Sequence, residues 1–370
     1  MSIYLLCFVV SFFFARVAEK SKSKAVFISF SVLSVAVTVL LAGLRDISIG
    51  IDTSNVFANG WNVAITARSF WRFLQLYHLY FTAKEYLYAV LIGSVAQAVG
   101  NYHVFLTLVH LIIVGGVYVG AFRLRKFASP SFVLLLFYLF YYNHSLNVFR
   151  QYMAMAILFA ATADIINRHF LRYFVFVAIA VLIHNTAVIG IIPLILFCLL
   201  YPNGRLQTVS LSKRLMLGVM VIVGTIMVIP LSRLLLSLGL INQKYRYYLE
   251  SGSTNSYLLA RVLTLLELFV VFILRRSWRN KIHHSNFFVF CLFAFCVLYQ
   301  IAATIPYGKR IPAYFSMINL ATLVMIIKCQ RIKNNRIILG SILFAAALSY
   351  WLLTYVRYNA SATVPYILGV

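Results

Sequence analysis

NVFRQYMAMAI (147–157) and LIHNTA (182–187) bound the stretch whose reading decides the fold. Between them lies a run apolar enough to sit in a bilayer, where a guanidinium at Arg150 and an imidazole at His184 are costly to place. At helical spacing Asn147, Arg150, Gln151 and Ala154 share one face, which suits a polar cavity better than lipid. The alternative for Arg150 is snorkelling to the headgroups. Gln151 beside it has no need to snorkel.

Working outward, the 370 residues are 63% hydrophobic and 16% aromatic, with a mean hydropathy of +0.93. Soluble domains are about 45–50% apolar, so the chain reads as an all-α, polytopic integral membrane protein. Apolar windows of spanning length recur throughout, giving about 11–13 membrane segments. They leave no room for a soluble domain, and residues 1–370 read as a single transmembrane domain. Cys7, Cys198, Cys291, Cys296 and Cys329 lie in or beside apolar segments without metal-ligand spacing, so they read as packing residues. Neither a metal nor a cofactor is expected.

Lys and Arg number 32 against 7 Asp and Glu, a net charge of +25. Nucleic-acid binding is one source of such a balance, but the order of charges along the chain favours membrane topology and an anionic substrate. Ile3 to Ala15 reads as a retained first span followed by Arg16, Lys20, Lys22 and Lys24, which the positive-inside rule makes cytoplasmic. The return span then delivers GLRDISIGIDTSNV (43–56) to the outer face. Residues 55–84, rich in Trp and Tyr, read as interfacial. Of the runs 85–100 and 103–122 only one is expected to cross, because Arg123, Arg125 and Lys126 follow; the shorter first run is taken as re-entrant or horizontal. The run 173–200 is too long for one span and holds His184, Asn185 and Thr186 mid-way, which predicts a helix broken near His184. Inner loops then exceed outer loops in Lys and Arg by about two to one, with both termini outside.

The unusual residues all fall on the outer side. Arg45, Asp46 and Asp52 form either a solvated local ion-pair loop or a functional element; scarcity of acids favours the latter. Arg150, Gln151, His184, the Tyr-rich loop with Lys244 and Arg246, and Arg310 with Tyr314 complete the set, the outer loops 45–84 and 237–256 lining the site. Arg offers a bidentate fork to phosphate and Tyr a flat face to sugars. Headgroup anchoring is the other reading for Lys244 and Arg246, and a buried, hydrogen-bonded imidazole the other for His184.

In order along the chain stand Arg45 with G-x-D-T (Gly50, Asp52, Thr53), N-x-x-R-Q-x-x-A (Asn147, Arg150, Gln151, Ala154) and H-x-T-A (His184, Thr186, Ala187). R-I-x-x-Y-F (Arg310, Ile311, Tyr314, Phe315) and Pro365-Tyr366 follow. This ordered set resembles the Wzy-type O-antigen and exopolysaccharide repeat-unit polymerases, specifically their EpsG-like branch. One departure is that Glu85 is followed by Tyr86 and Leu87 without the Pro or Gly usual in that family, leaving its role unassigned. The resemblance implies a glycosyltransferase-C-like helical fold in the bacterial inner membrane, with a periplasmic-facing site. It implies joining of undecaprenyl-diphosphate-linked oligosaccharides with release of undecaprenyl diphosphate. Membrane lipids and a chain-length regulator are the implied partners, and nucleic acid is not one. On this reading Arg150, Arg246 and Arg310 stabilise the leaving diphosphate, and Asp52, Asp46 or His184 is the general base. Two further readings share much of this physics: a ligase moving finished glycan to lipid A, and a flippase or transporter, which predicts internal repeats that the sequence does not display.

Overall fold

A computed structural model describes residues 1–81, 85–202, 210–238, 258–278, 281–282, 284–302 and 308–369. Among them every regular element is helical, and the chain divides into two compact units, residues 1–188 with 332–370 and residues 189–331. Among the described residues five helices are long and apolar enough to cross a membrane, joined by several shorter apolar ones. Leu6, Val9, Phe13 and Val32 are well exposed, at 63%, 60%, 59% and 61%. Lipid covers such faces, and the chain is an all-helical polytopic membrane protein.

In the first unit α1 (Ser2–Lys20) and α2 (Lys24–Gly43) form an antiparallel pair. Their contact is tied by a polar knot: Ser11 Oγ donates to Ser34 O at 2.7 Å, Ser34 Oγ to Ser11 O at 2.9 Å, and Tyr138 OH joins Ser11 at 2.7 Å. With no water to compete, each buried hydroxyl finds a partner across the helices. The short helices α3 (Ala58–Thr66), α4 (Phe70–Phe81) and α5 (Tyr86–Ala98) come next. They are followed by α6 (Tyr102–Arg123), α7 (Pro130–Phe137), α8 (Asn143–Asn147), α9 (Phe149–Ile166) and α10 (Phe170–Ile183). Helix α6 packs against α9 along much of its length. A Cβ at Gly116 would lie 3.0 Å from the Ala156 Cβ, and one at Gly120 would run into the Phe159 ring, so this G-x-x-x-G lets the backbones approach.

The bundle has two chemically different ends. At one, Arg16 bonds Glu19 at 3.1 Å, Glu19 accepts from Ser129 and Ser131, and Arg123 forms a bidentate pair with Asp164 at 2.6 and 2.7 Å. His169 and Arg172 stand 3.6 and 3.8 Å from the same carboxylate. At the other end Tyr4 OH donates to Thr363 O, His103 Nδ1 bonds Gly43 O, and Asn143 receives the Trp351 indole N–H. Helices α1, α6 and α9 therefore point to the basic end, and α2, α7 and α10 point away from it. Because α5 has 13 residues, it is about 20 Å long, too short for the roughly 30 Å hydrocarbon core. It starts at Glu85, beside Arg150, and finishes next to the start of α6, so it returns to the end it left. The expected non-crossing run has this shape.

The first span is longer than expected: Arg16 and Lys20 sit inside α1 rather than after it, since long basic side chains continue a helix without cost. Residues 53–66 form a π-helical turn (Thr53–Phe57) leading into α3. A more consequential correction concerns residue 147. Val148, at φ −102° and ψ 49°, interrupts the helix, so Asn147 ends α8 and does not share a face with Arg150, which opens α9. The predicted break is present: α10 stops at Ile183, His184 is extended at φ −151° and ψ 114°, and a 3-10 turn (Asn185–Gly190) leads to α11 (Ile191–Leu200).

The second unit holds α11 to α15: α12 (Leu211–Ser237), α13 (Leu258–Trp278), α14 (Ser285–Ala302) and α15 (Ala313–Cys329) follow α11. Gln300 ties α14 to α13 by accepting from Arg261 Nε at 3.0 Å and meeting Thr264 Oγ1 at 3.1 Å. The chain then returns to the first unit through α16 (Lys333–Trp351) and a π-helical turn (Leu352–Arg357).

Candidate functional site

Three helix ends meet at the non-basic end of the first unit. Glu85 precedes α5, where the positive end of a helix dipole favours a carboxylate, and is 3% exposed. Its two oxygens are each taken by one partner. Arg150 Nη1, in the first turn of α9, donates to Oε2 at 2.5 Å, and His184 Nδ1, at the break after α10, meets Oε1 at 2.6 Å. His184 Nε2 is buried and has no hydrogen-bond partner.

The surroundings are dry and aromatic. The Arg150 guanidinium lies over the Tyr88 ring, 5.3 Å from its centre, a favourable cation–π placement. Tyr88 packs in turn on Phe105 and Phe149, and Phe57 stacks on Phe105 with centroids 5.1 Å apart. In such a medium charges act strongly on one another and an unpaired one is expensive. Arg150 is thus a paired cation, not a snorkelling one.

A loop scaffold stands beside this network. Arg45 is fully buried; its Nη1 donates to Ala42 O at 2.7 Å and its Nη2 to Leu146 O at 2.9 Å. Thr53 Oγ1 donates to the same Leu146 carbonyl at 2.8 Å, and the Asp52 N–H donates to Asn147 Oδ1 at 2.7 Å. Gly50 has φ +97°, and a Cβ there would come within 3.2 Å of both Asn147 Cα and Leu146 O, so the G-x-D-T glycine meets both a backbone and a packing demand. Residues 359–369 hold the loop from its other side: Asp46 N–H donates to Ile367 O and Gly50 N–H to Ala362 O, both at 2.9 Å, and Tyr366 OH reaches Leu41 O at 2.9 Å. The Arg45, G-x-D-T, Asn147 and Pro-Tyr motifs, distant in sequence, therefore form one support.

For the expected site residues the placement is uneven. Arg150 and His184 are brought together. Arg45 occupies a strut position with its guanidinium on backbone carbonyls, and the Arg45–Asp46 ion pair considered from sequence is replaced by other contacts. Asp46 Oδ1 accepts from Ser48 Oγ at 2.6 Å and Ser48 N–H at 2.9 Å, which hold its carboxyl below the usual range. Asp52 is half-buried, and Gln151 and Ala154 are buried. Arg310 belongs to the second unit, in a 3-10 turn (Gly308–Arg310), with buried Tyr314 in the first turn of α15. Lys244 and Arg246 lie outside the described residues. Glu85 is the site residue that motif reading left unassigned. Among the described residues no three His, Cys, Asp or Glu side chains gather as a metal site.

Chemically, the arrangement offers a carboxylate whose charge is balanced by one cation and an imidazole whose second nitrogen is unpartnered. An imidazole nitrogen in this state is a group that can accept or pass a proton. Neither a curated protein nor a solved structure matches the chain. A family model does match, the EpsG family, over residues 28–368, and its members are associated with polysaccharide polymerases. With nearly the whole chain matched and every motif of that resemblance except the Tyr-rich loop lying on described residues, this protein belongs to the EpsG family.

Proposed function

We propose that the protein is a glycosyltransferase that joins undecaprenyl-diphosphate-linked oligosaccharides into O-antigen or exopolysaccharide on the periplasmic face of the bacterial inner membrane. The observation that carries this reading is the buried Glu85–Arg150–His184 network at the end of the bundle opposite the basic rim. The positive-inside rule favours a cytoplasmic rim, which supports an outer-facing network. A lipid diphosphate leaving group needs fixed positive charge, for which Arg150, Lys244, Arg246 and Arg310 are the candidates in the sequence. Tyr314 and the Tyr-rich loop meet the sugar. Arg45, Asp46 and Asp52 belong to the support, and Gln151, next to Arg150 in α9, is a candidate for substrate binding. Surrounding lipids and a chain-length regulator are its partners.

A gel of surface glycan from cells lacking the gene tests this. A polymerase gives loss of the long-chain ladder with a single repeat unit still on the lipid. Complete loss of glycan from the lipid would transfer the assignment to a ligase or a flippase, the latter marked by lipid-linked unit retained on the cytoplasmic face.

A further inference from the structure

We propose that Glu85 is a positioning residue that fixes His184 as its Nδ1–H tautomer, making Nε2 the general base for the acceptor sugar. The inference deepens the polymerase reading and takes its substrate from it. Glu85 Oε1 and His184 Nδ1 are 2.6 Å apart, and two lone pairs do not approach so closely without a proton between them. Arg150 on the other oxygen favours the ionised carboxylate, so the proton resides on the imidazole. At Nε2 the choice is equally constrained. A proton there would create a buried donor with no acceptor, as that atom has no partner, whereas a lone pair is the cheaper group to leave open. Neutral Nδ1–H imidazole satisfies both ends.

In the transfer step the acceptor hydroxyl oxygen attacks the anomeric carbon of the growing chain and gives its proton to His184 Nε2. The bond between that carbon and the phosphate oxygen breaks, with the electron pair leaving on undecaprenyl diphosphate. The imidazolium so formed lies against the Glu85 carboxylate, which stabilises it, and releases its proton to water after product departs. Both Glu85 oxygens are occupied, and Asp46 is held by Ser48, so neither competes for the role.

The test uses the full chain in lipid nanodiscs. Nitrogen-15 labelling of the eight histidines, with His184 assigned by the signals lost in His184→Asn, reads the tautomer directly at neutral pH. A protonated Nδ1 with an unprotonated Nε2 is expected; an Nε2–H tautomer or a doubly protonated ring would overturn the proposal, and this measurement needs no functional variant. With undecaprenyl-diphosphate-linked oligosaccharide extracted from a polymerase-deficient strain, Glu85→Gln is expected to lower kcat about 100-fold or more. KM should stay within about threefold, since the carboxylate acts on the base and not on the substrate. Unchanged kcat, or a loss confined to KM, would overturn it. Were the wild-type protein to leave that substrate unconsumed while the tautomer result held, the polymerase reading would fall and the tautomer assignment would stand.

Discussion

His184 and Glu85 stand 2.6 Å apart although they are 99 positions apart in the chain, and Arg150 reaches the same carboxylate from a third helix. The short non-crossing helix α5 thus clips together the start of α9 and the end of α10. One buried acid sets both the shape of this end and the protonation of its imidazole.

Removing Arg150 alone leaves a buried carboxylate without its cation. Arg150→Met is expected to destabilise the protein by about 3 kcal/mol, the range for breaking a buried pair from one side. In Glu85→Leu/Arg150→Met most of that stability should return while polymer stays absent. Thermal unfolding in detergent beside the glycan ladder separates the two effects; recovery of the ladder in the double variant would rule out a chemical role for the pair.

At the opposite end of α9, Asp164 is fully buried against Arg123. It stands about 20 Å from Arg150 at a rise of about 1.5 Å per residue. Asp164→Asn should lower the unfolding temperature and protein level, yet activity per molecule should stay within about twofold of wild type. A much larger specific loss would mean that this ion pair reaches the chemistry.

Gly50→Ala places a Cβ against the Asn147 and Leu146 backbone at a positive φ. The expected cost is about 1–3 kcal/mol, with long-chain glycan strongly reduced at normal membrane insertion. Quantifying the chain in membranes by immunoblot alongside the ladder checks this.

Arg310→Ala is expected to abolish long-chain glycan at normal protein level, because it removes a cation assigned to the diphosphate. Lys333→Ala, exposed at the basic end, should leave chain length unchanged. Equal damage from both would argue against Arg310 as a dedicated diphosphate cation.

Much of this was legible in the sequence for a physical reason: in a bilayer, polar residues within apolar runs are few and costly. His184 with Asn185 and Thr186 announced the helix break, and a short run ahead of Arg123 announced a segment that does not cross. Two points escaped local reading. Asn147 fits a helical face with Arg150 by spacing, but Val148 turns the backbone between them, and spacing carries no information on ψ. Glu85 lacked its motif neighbours, and its partners lie 65 and 99 residues away. The scarcity of acids that drew attention to Asp46 and Asp52 applied equally to Glu85, and its place at the edge of an apolar run was the signal available.

The hold of residues 359–369 on the loop around Gly50 has a consequence for biogenesis. That loop emerges early from the ribosome, while the backbone groups that grip it are synthesised some three hundred residues later. A nascent chain can insert its early helices long before the loop is secured. The loop around Gly50 therefore takes its final form only once residues 359–369 have been made and have joined it.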